Sequence, residues 1–345
     1  MSIVLSVSFF ACSKSGDTIY VDDDRQEDNR PIVYFIYKEG AMGDLSYQDE
    51  LWRGITKATD NGKMLLSLAV LPQDSALCDN VLECFFSYML YDETDERSLV
   101  IISNDNIEPL IHRYEETITE TDNVTVLLTE TKDTTLHCHT MRLSGYGAYY
   151  QAGRVVAQNL TDVDSIFIAT ANPTDLNVSD MRTAFCRGID DGEEEAGRQI
   201  GVDNYYMSKT SGGYDKADTA YQMSYGIDST YQLVLPICGG TVQGFFRYNR
   251  EHPASFYTIG VDADMQQYTA RVPFSIVKHI DEAIADWITR WANGDSIEQH
   301  TDWGLSSDYV ELVVSDRYRQ QLGNAIDDLY QTAIEKEEEY ENGNR

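Results

Sequence analysis

Several residues sit where their types and spacing suit the holding of a small polar molecule. In GDLSYQDELWRGITKA (residues 43–58) a loop of small, acidic and aromatic residues runs straight into a helical pattern, which gathers Asp44, Tyr47 and Gln48 around one helix start. Asp44 either caps that helix or faces a ligand. Asp262 follows an apolar run and a Gly-Val pair, a position from which a carboxylate can accept hydrogen bonds from two adjacent sugar hydroxyls. Lys278, read as lying at the start of the next helix, would bond that carboxylate or the sugar. The alternative is that Asp262 caps a turn and Lys278 rides a solvated face. Gly239 and Gly240 also follow an apolar run. They either bring backbone N–H groups close to a ligand at a helix N-terminus or simply make a tight turn.

The same sequence offers little for making or breaking bonds. Its histidines, His112, His137, His139, His252, His279 and His300, have no helical metal spacing, and there is no Gly-x-Ser-x-Gly elbow or phosphate-binding loop motif. His137 and His139 alternate on a strand-like run but lack a third ligand. The chemistry is that of a binding protein rather than an enzyme, with no cofactor and no metal implied.

Charge narrows the partners. With 58 Asp and Glu against 26 Lys and Arg, the formal charge is −32, a field that repels nucleic acid and anionic lipid surfaces. The excess acid reads as a solvated, self-repelling surface, and no carboxylate spacing resembles a calcium loop. At 345 residues, 42% hydrophobic, the chain is long enough for two domains.

The opening MSIVLSVSFFAC is apolar up to Cys12 and then turns polar at once. It is too short to span a bilayer and reads as the end of a truncated export signal, with Phe10, Ala11 and Cys12 resembling a lipobox. Acyl chains on Cys12 would then anchor an exported protein to a membrane. The other cysteines, Cys78, Cys84, Cys138, Cys186 and Cys238, show no paired spacing and read as small core residues without a disulfide framework.

From residue 32 short apolar runs alternate with amphipathic stretches, the pattern of parallel strands covered by helices. IVYFIY (32–37), LLSLAV (65–70), LVIIS (99–103) and VTVLLT (124–129) form one series of strands; SIFIAT (165–170), GVDNYYM (201–207), YQLVLPI (231–237) and SFYTIGV (255–261) form another. Helical periodicity marks residues 46–60, 76–91, 146–159 and 181–198. Two α/β lobes follow. In such sheets ligands collect beyond the strands' carboxyl ends, which selects the loops 38–48, 103–107, 170–180, 238–244 and 262–268. If the sheets face each other, these loops meet in one cleft. Near the end, apolar residues at helical spacing from Leu322 to Ile334 should pack on a lobe, while EKEEEYENGNR reads as a frayed, solvated tail.

Several segments together resemble the basic membrane lipoprotein family of substrate-binding proteins, whose better-understood members are purine nucleoside receptors. The loop at 43–58 is similar to the family's first-loop motif, with Asp44, Ser46, Tyr47 and Gln48 at its Asp, Ser, Phe and Asn positions. GAYYQAGRVVA (147–157) resembles a Glu-Gly-Ser-Tyr-Leu-Ala-Gly helix start with Gly147 in place of the Glu. FCRGIDDG (185–192), LPICGGTVQGFF (235–246), and TIGVDADMQQY followed by PFSIVKHIDEAI fit further family motifs in order, with Met265 at a Gln position.

The resemblance implies a type I periplasmic-binding-protein fold, two doubly wound Rossmann-like α/β lobes, for an ABC uptake system, with a nucleoside-like ligand shut between the lobes and an ABC permease as membrane partner. It implies that Tyr47 and Phe185 sandwich the base; the alternative is that both are core residues at helix starts. Gln48 would read a polar edge of the base, Asp262 and Lys278 would hold the sugar, and Gly239 and Gly240 would lie close to the ligand. The substitutions at Gln48, Gly147 and Met265 leave open a surface lipoprotein that keeps the fold without a ligand, or a binder of another heterocycle such as riboflavin. The implied organisation is a signal segment (1–12), an acidic linker (13–30), a mainly N-terminal lobe (31–140), a mainly C-terminal lobe (141–270), and a crossover with the C-terminal helix (271–345).

Overall fold

The computed structural model describes residues 30–60, 62–72, 74–91, 97–103 and 107–343. Cys12 with the signal segment, the linker as far as residue 29, and residues 104–106 of one candidate loop lie outside the described residues.

The chain runs β1 (Ile32–Lys38), α1 (Tyr47–Thr59), β2 (Leu65–Leu71), α2 (Ser75–Tyr91), β3 (Ser98–Ser103), α3 (Glu108–Ile111), α4 (Glu115–Glu120), β4 (Val124–Thr129) and β5 (His139–Leu143). It continues through α5 (Tyr146–Asn159), β6 (Ser165–Thr170), α6 (Leu176–Ala196), β7 (Gly201–Tyr206), α7 (Ala217–Ile227), β8 (Leu233–Ile237), α8 (Val242–Glu251), β9 (Tyr257–Thr258), β10 (Gly260–Asp262) and β11 (Phe274–Lys278). α9 (Ile280–Asn293), β12 (His300–Trp303), β13 (Val310–Val314) and α10 (Arg319–Gly343) complete it.

The first lobe is a parallel sheet in the order β12-β5-β4-β3-β1-β2. Its middle strand β3 is buried at every position, which is why its sequence is an unbroken apolar run rather than an alternating one. The second lobe holds β7-β6-β8-β9 and, beside it, β10-β11-β13, in which β13 alone runs antiparallel. The single strand expected over 255–261 is broken in two. At Ile259 the chain changes partner, leaving β8 for β11, while its N–H still bonds Val234 O at 3.0 Å, so the two sheets abut.

Helix ends follow local chemistry. Asp175 caps α6 by accepting the N–H groups of Asn177 and Val178, and Gly197 ends it in the left-handed region at φ 66°. α5 and α6 touch main chain to main chain: a side chain on Gly153 would collide with Phe185 O, and one on Gly188 with Tyr150 O. Cys78, Cys138 and Cys238 are buried, but Cys84 is exposed on α2 and Cys186 is half-buried, a departure from the core reading of all five.

Three segments carry the chain between lobes: residues 144–145 after β5, His279 between β11 and α9, and residues 304–309 between β12 and β13. The expected frayed tail is instead helical through Gly343. Glu337 is only 6% exposed and Tyr340 packs on the core, because this end of α10 docks against the interlobe junction. Among the described residues no helix is long and apolar enough to cross a membrane.

Candidate functional site

The loop before α1 is built on nested carboxylates. Asp44 accepts the N–H groups of Ser46 (2.9 Å), Gln48 (3.0 Å) and Asp49 (3.2 Å), so it holds the start of α1. Asp49 in turn accepts those of Gly43 and Leu45. Burial pushes the Asp44 carboxyl up to about 6, against the downward pull of its three N–H donors.

This loop meets the second lobe directly. Ser46 Oγ donates to Asp262 Oδ2 at 2.5 Å, Gln243 Nε2 to Gly43 O at 3.0 Å, and a Cβ added to Gly240 would lie 3.2 Å from Asp44 Cα. Asp44, Gly240 and Asp262, far apart in sequence, are thus brought together. Gln48 belongs to the same cluster through a 2.5 Å bond from its Nε2 to Ser103 Oγ. Gly239, at φ 51°, adopts a backbone that glycine tolerates, and a Cβ there would press on the ring of Tyr214 at 3.2 Å.

Lys278 differs from its expected setting. It ends β11 rather than starting a helix, and it is 3% exposed rather than solvated, with Nζ 3.4 Å from Glu130 Oε2. Glu130 also accepts the Leu143 N–H at 3.2 Å, and its carbonyl receives Asn177 Nδ2 of α6 at 2.8 Å. Burial pushes its carboxyl up while Lys278 pulls it down. Among the described residues, the non-glycine positions with left-handed backbone are Leu45 (φ 57°), Glu130 (φ 54°) and Asp262 (φ 67°), all in this cluster. Each carries strain on the order of 1 kcal/mol or more, and such strain collects at functional sites.

Gln48 Oε1 and Tyr149 OH are buried here with no hydrogen-bond partner among the described residues, and Tyr47 OH has only Thr129 close by, outside good hydrogen-bond geometry. Burial, with the charges of Glu130 and Asp262 nearby, raises the Tyr47 phenol well above its usual range. Tyr149 is raised likewise by burial and by Asp262. Leaving such an atom unpaired costs about 1–3 kcal/mol, so the cluster is primed for an incoming donor or acceptor.

Phe185 is not among the gathered residues. It is fully buried on the α6 face that packs on α5, in the general core, and offers no ring surface in this arrangement. The aromatic ring beside the Gly239–Gly240 turn is that of Tyr214, whose hydroxyl bonds Asp175. Met265 is buried with Val242, Phe246 and Val272, so it fills a small core. Sequence reasoning missed Glu130, Tyr149 and Tyr214. Glu130 follows an apolar strand as Asp262 does, and that shared signal would have found it; nothing local marks the other two. Among the described residues no three His, Cys, Asp or Glu side chains converge on a metal position.

Comparison with known proteins identifies the fold. A family model described as "Bmp: ABC transporter substrate-binding protein PnrA-like" matches residues 138–342. No curated protein sequence matches the chain. Among solved structures, an ABC transporter solute-binding protein from Aeropyrum pernix K1 is similar at TM-score 0.66 and 17% identity, over 89% of this chain and 86% of that one. A transcriptional activator of the comK gene from Bacillus halodurans is similar at TM-score 0.63 and 15% identity, over 87% and 98%. A periplasmic solute-binding protein from Actinobacillus succinogenes 130z with bound D-allose is similar at TM-score 0.60 and 13% identity, over 86% and 100%. At these identities the likeness is one of fold: two α/β lobes of the type I periplasmic-binding kind.

Proposed function

The chain belongs to the Bmp family of PnrA-like ABC-transporter substrate-binding proteins, and from that premise we propose that it takes up a nucleoside-like molecule in the cleft between its lobes. The observation that carries this reading is the set of polar atoms buried without a full complement of hydrogen bonds, Gln48 Oε1, Tyr149 OH and Tyr47 OH, beside the Glu130–Lys278 pair and Asp262. Two hydroxyls that give or accept and one amide oxygen that only accepts suit the mixed edge of a heterocyclic base. Asp262 would accept from vicinal sugar hydroxyls and Lys278 would donate. Tyr47 supplies one stacking face, at roughly 1–3 kcal/mol per base. Tyr214, beside Gly239, would supply a face from the second lobe; Phe185 would do so only after leaving the core.

The protein would work outside the cytoplasm as the receptor of an ABC permease, held to a membrane through Cys12. Lobe closure around the ligand would be its working motion. A second reading has its own observation: Ser46–Asp262 and Gly43–Gln243 join the facing loops directly, as they would in a protein that keeps the fold and has lost its ligand.

Calorimetry and thermal melts of residues 13–345 with purine and pyrimidine nucleosides, riboflavin and sugars including D-allose separate the two. A binder adds roughly 2.7 kcal/mol of stability at a hundredfold excess over its dissociation constant. Saturable binding of a nucleoside, lost in Asp262→Ala, supports the receptor reading. Folded protein that responds to no member of the panel overturns it in favour of the second.

A further inference from the structure

The interlobe junction contains a buried carboxylate that the ligand chemistry does not use. Glu337, on the last turns of α10, accepts the Gly147 N–H at 3.0 Å with Oε1 and the Leu305 N–H at 2.7 Å with Oε2. Gly147 opens α5 just after one lobe-to-lobe crossing, and Leu305 lies on another. One side chain therefore ties two crossings together.

Both crossings are shaped to admit it. A Cβ on Gly147 would stand 3.2 Å from Glu337 Cδ and 3.0 Å from Leu305 Cβ, while one on Gly304 would overlap the carboxylate itself. The glycine at 147, where the resemblance leads one to expect an acid, thus has a local reason: the acid arrives from α10 instead.

The neighbours of Glu337 on α10 reach both lobes. Glu341 Oε1 receives Arg142 Nη2 at 2.9 Å and Ser144 Oγ at 3.1 Å, and Arg142, on β5 of the first lobe, is itself 5% exposed and also bound to Asp302 of β12. The Tyr340 ring stacks on Tyr146 of α5, centroids 3.9 Å apart and planes within 13°, and its hydroxyl donates to Asp180 of α6 at 2.5 Å. Asp180 is also paired with Lys132, from the loop after β4.

We propose that Glu337 is a positioning residue, seated between Gly147 and Gly304 so that it fixes two crossings against each other, and that with Tyr340 and Glu341 it makes the end of α10 a clamp that favours the closed cleft. The clamp touches none of the groups that would hold a ligand. It acts through the segment from 144 to 149, where a Cβ on Gly145 would lie 3.1 Å from the Tyr149 ring and 3.6 Å from Lys278 Cε. Displacing this segment displaces Tyr149 relative to Lys278.

The test uses Glu337→Gln, which leaves one acceptor oxygen and sets an NH2 against a backbone N–H, and Glu341→Gln, which removes only the charge facing Arg142. Lys336→Gln, at an exposed pair on the same helix, is the control. Hydrogen exchange should quicken at least tenfold at residues 144–147 and 303–309 in Glu337→Gln and not in the control. Small-angle scattering of the ligand-free protein should show a larger radius of gyration in Glu341→Gln. Adenosine affinity should fall about fivefold or more in both. That last measurement rests on the nucleoside reading; exchange and scattering do not, so a wild-type protein blind to adenosine would sink the reading and leave the clamp to the other two. Exchange unchanged at both crossings, or quickened evenly along all of α10, overturns the proposal.

Discussion

The lobes meet on two sides, and the two contacts are built on opposite terms. On the cleft side the joins are few, between side chains and loop carbonyls, and the surrounding atoms Gln48 Oε1 and Tyr149 OH go unpaired, with Tyr47 OH poorly satisfied beside Thr129. On the hinge side both oxygens of Glu337 are occupied by backbone N–H groups, Glu341 by Arg142 and Ser144, and Tyr340 by a stack and a bond. An incompletely satisfied contact can be exchanged for a ligand with net gain, whereas a satisfied one only loses when opened. The difference separates the surface that trades partners from the surface that keeps them.

The sharpest way to break this contrast is from the hinge. Gly304→Ala drives a methyl into the Glu337 carboxylate, and a loss of about 3 kcal/mol in urea unfolding is expected from overpacking together with the lost acceptor. A loss below about 0.5 kcal/mol, the level of an ordinary surface change, would remove the distinction. Asp262→Gly should show the reverse pattern. Nucleoside affinity falls roughly 10- to 100-fold with the loss of a charged acceptor, while stability stays within about 1 kcal/mol, since glycine accepts the φ of 67° without strain. Equal damage to binding and folding would mean that Asp262 belongs to the framework.

Tyr47→Phe removes a buried hydroxyl whose neighbour Thr129 lies outside good hydrogen-bond geometry, and a gain of up to about 1 kcal/mol in the ligand-free protein is expected in thermal or chemical melts. A loss of similar size would reveal a bond the hydroxyl makes after all. The smallest effect concerns pH. Asp44 is raised from 3.8 to about 6, so the folded state retains a proton that the unfolded chain releases across that interval. Its contribution to stability is present in full below the interval, falls as pH rises through it, and is level above. Melts of Asp44→Asn across the same range should lack that slope, and an identical slope in both proteins would assign it to another group.

Much of both lobes was legible where strands are long apolar runs: VTVLLT in the first and SIFIAT in the second match β4 and β6 residue for residue. β5, β12 and β13 were not, since HTMRL, HTDW and VELVV mix polar and apolar residues at positions where the sheet meets a crossing or an edge. Lys278 reads as the start of a helix through the resemblance of PFSIVKHIDEAI to a family motif; the strand wins through its parallel pairing with β10 and antiparallel pairing with β13, contacts no local pattern announces. The gathering of Asp44, Gln48, Gly240 and Asp262 followed from the strand-end rule, which depends only on topology. Phe185 and the acidic tail eluded it for a shared reason. Whether a ring or a glutamate is buried depends on which helix lies opposite, and α5 and α10 find their partners across more than a hundred residues of chain in the case of Glu337 and Gly147.

The contact between α5 and α6 limits how this protein could be remade. Because Gly153 and Gly188 let the helices meet main chain to main chain at those points, no exchange of a side chain can bring them closer there, and adding one at either glycine must push them apart. A designer replacing the loops around the cleft, or fusing a reporter to the second lobe, works on a chassis whose spacing is set by peptide geometry rather than by side-chain volume. New specificities can be written at its rim, but its gauge cannot be narrowed.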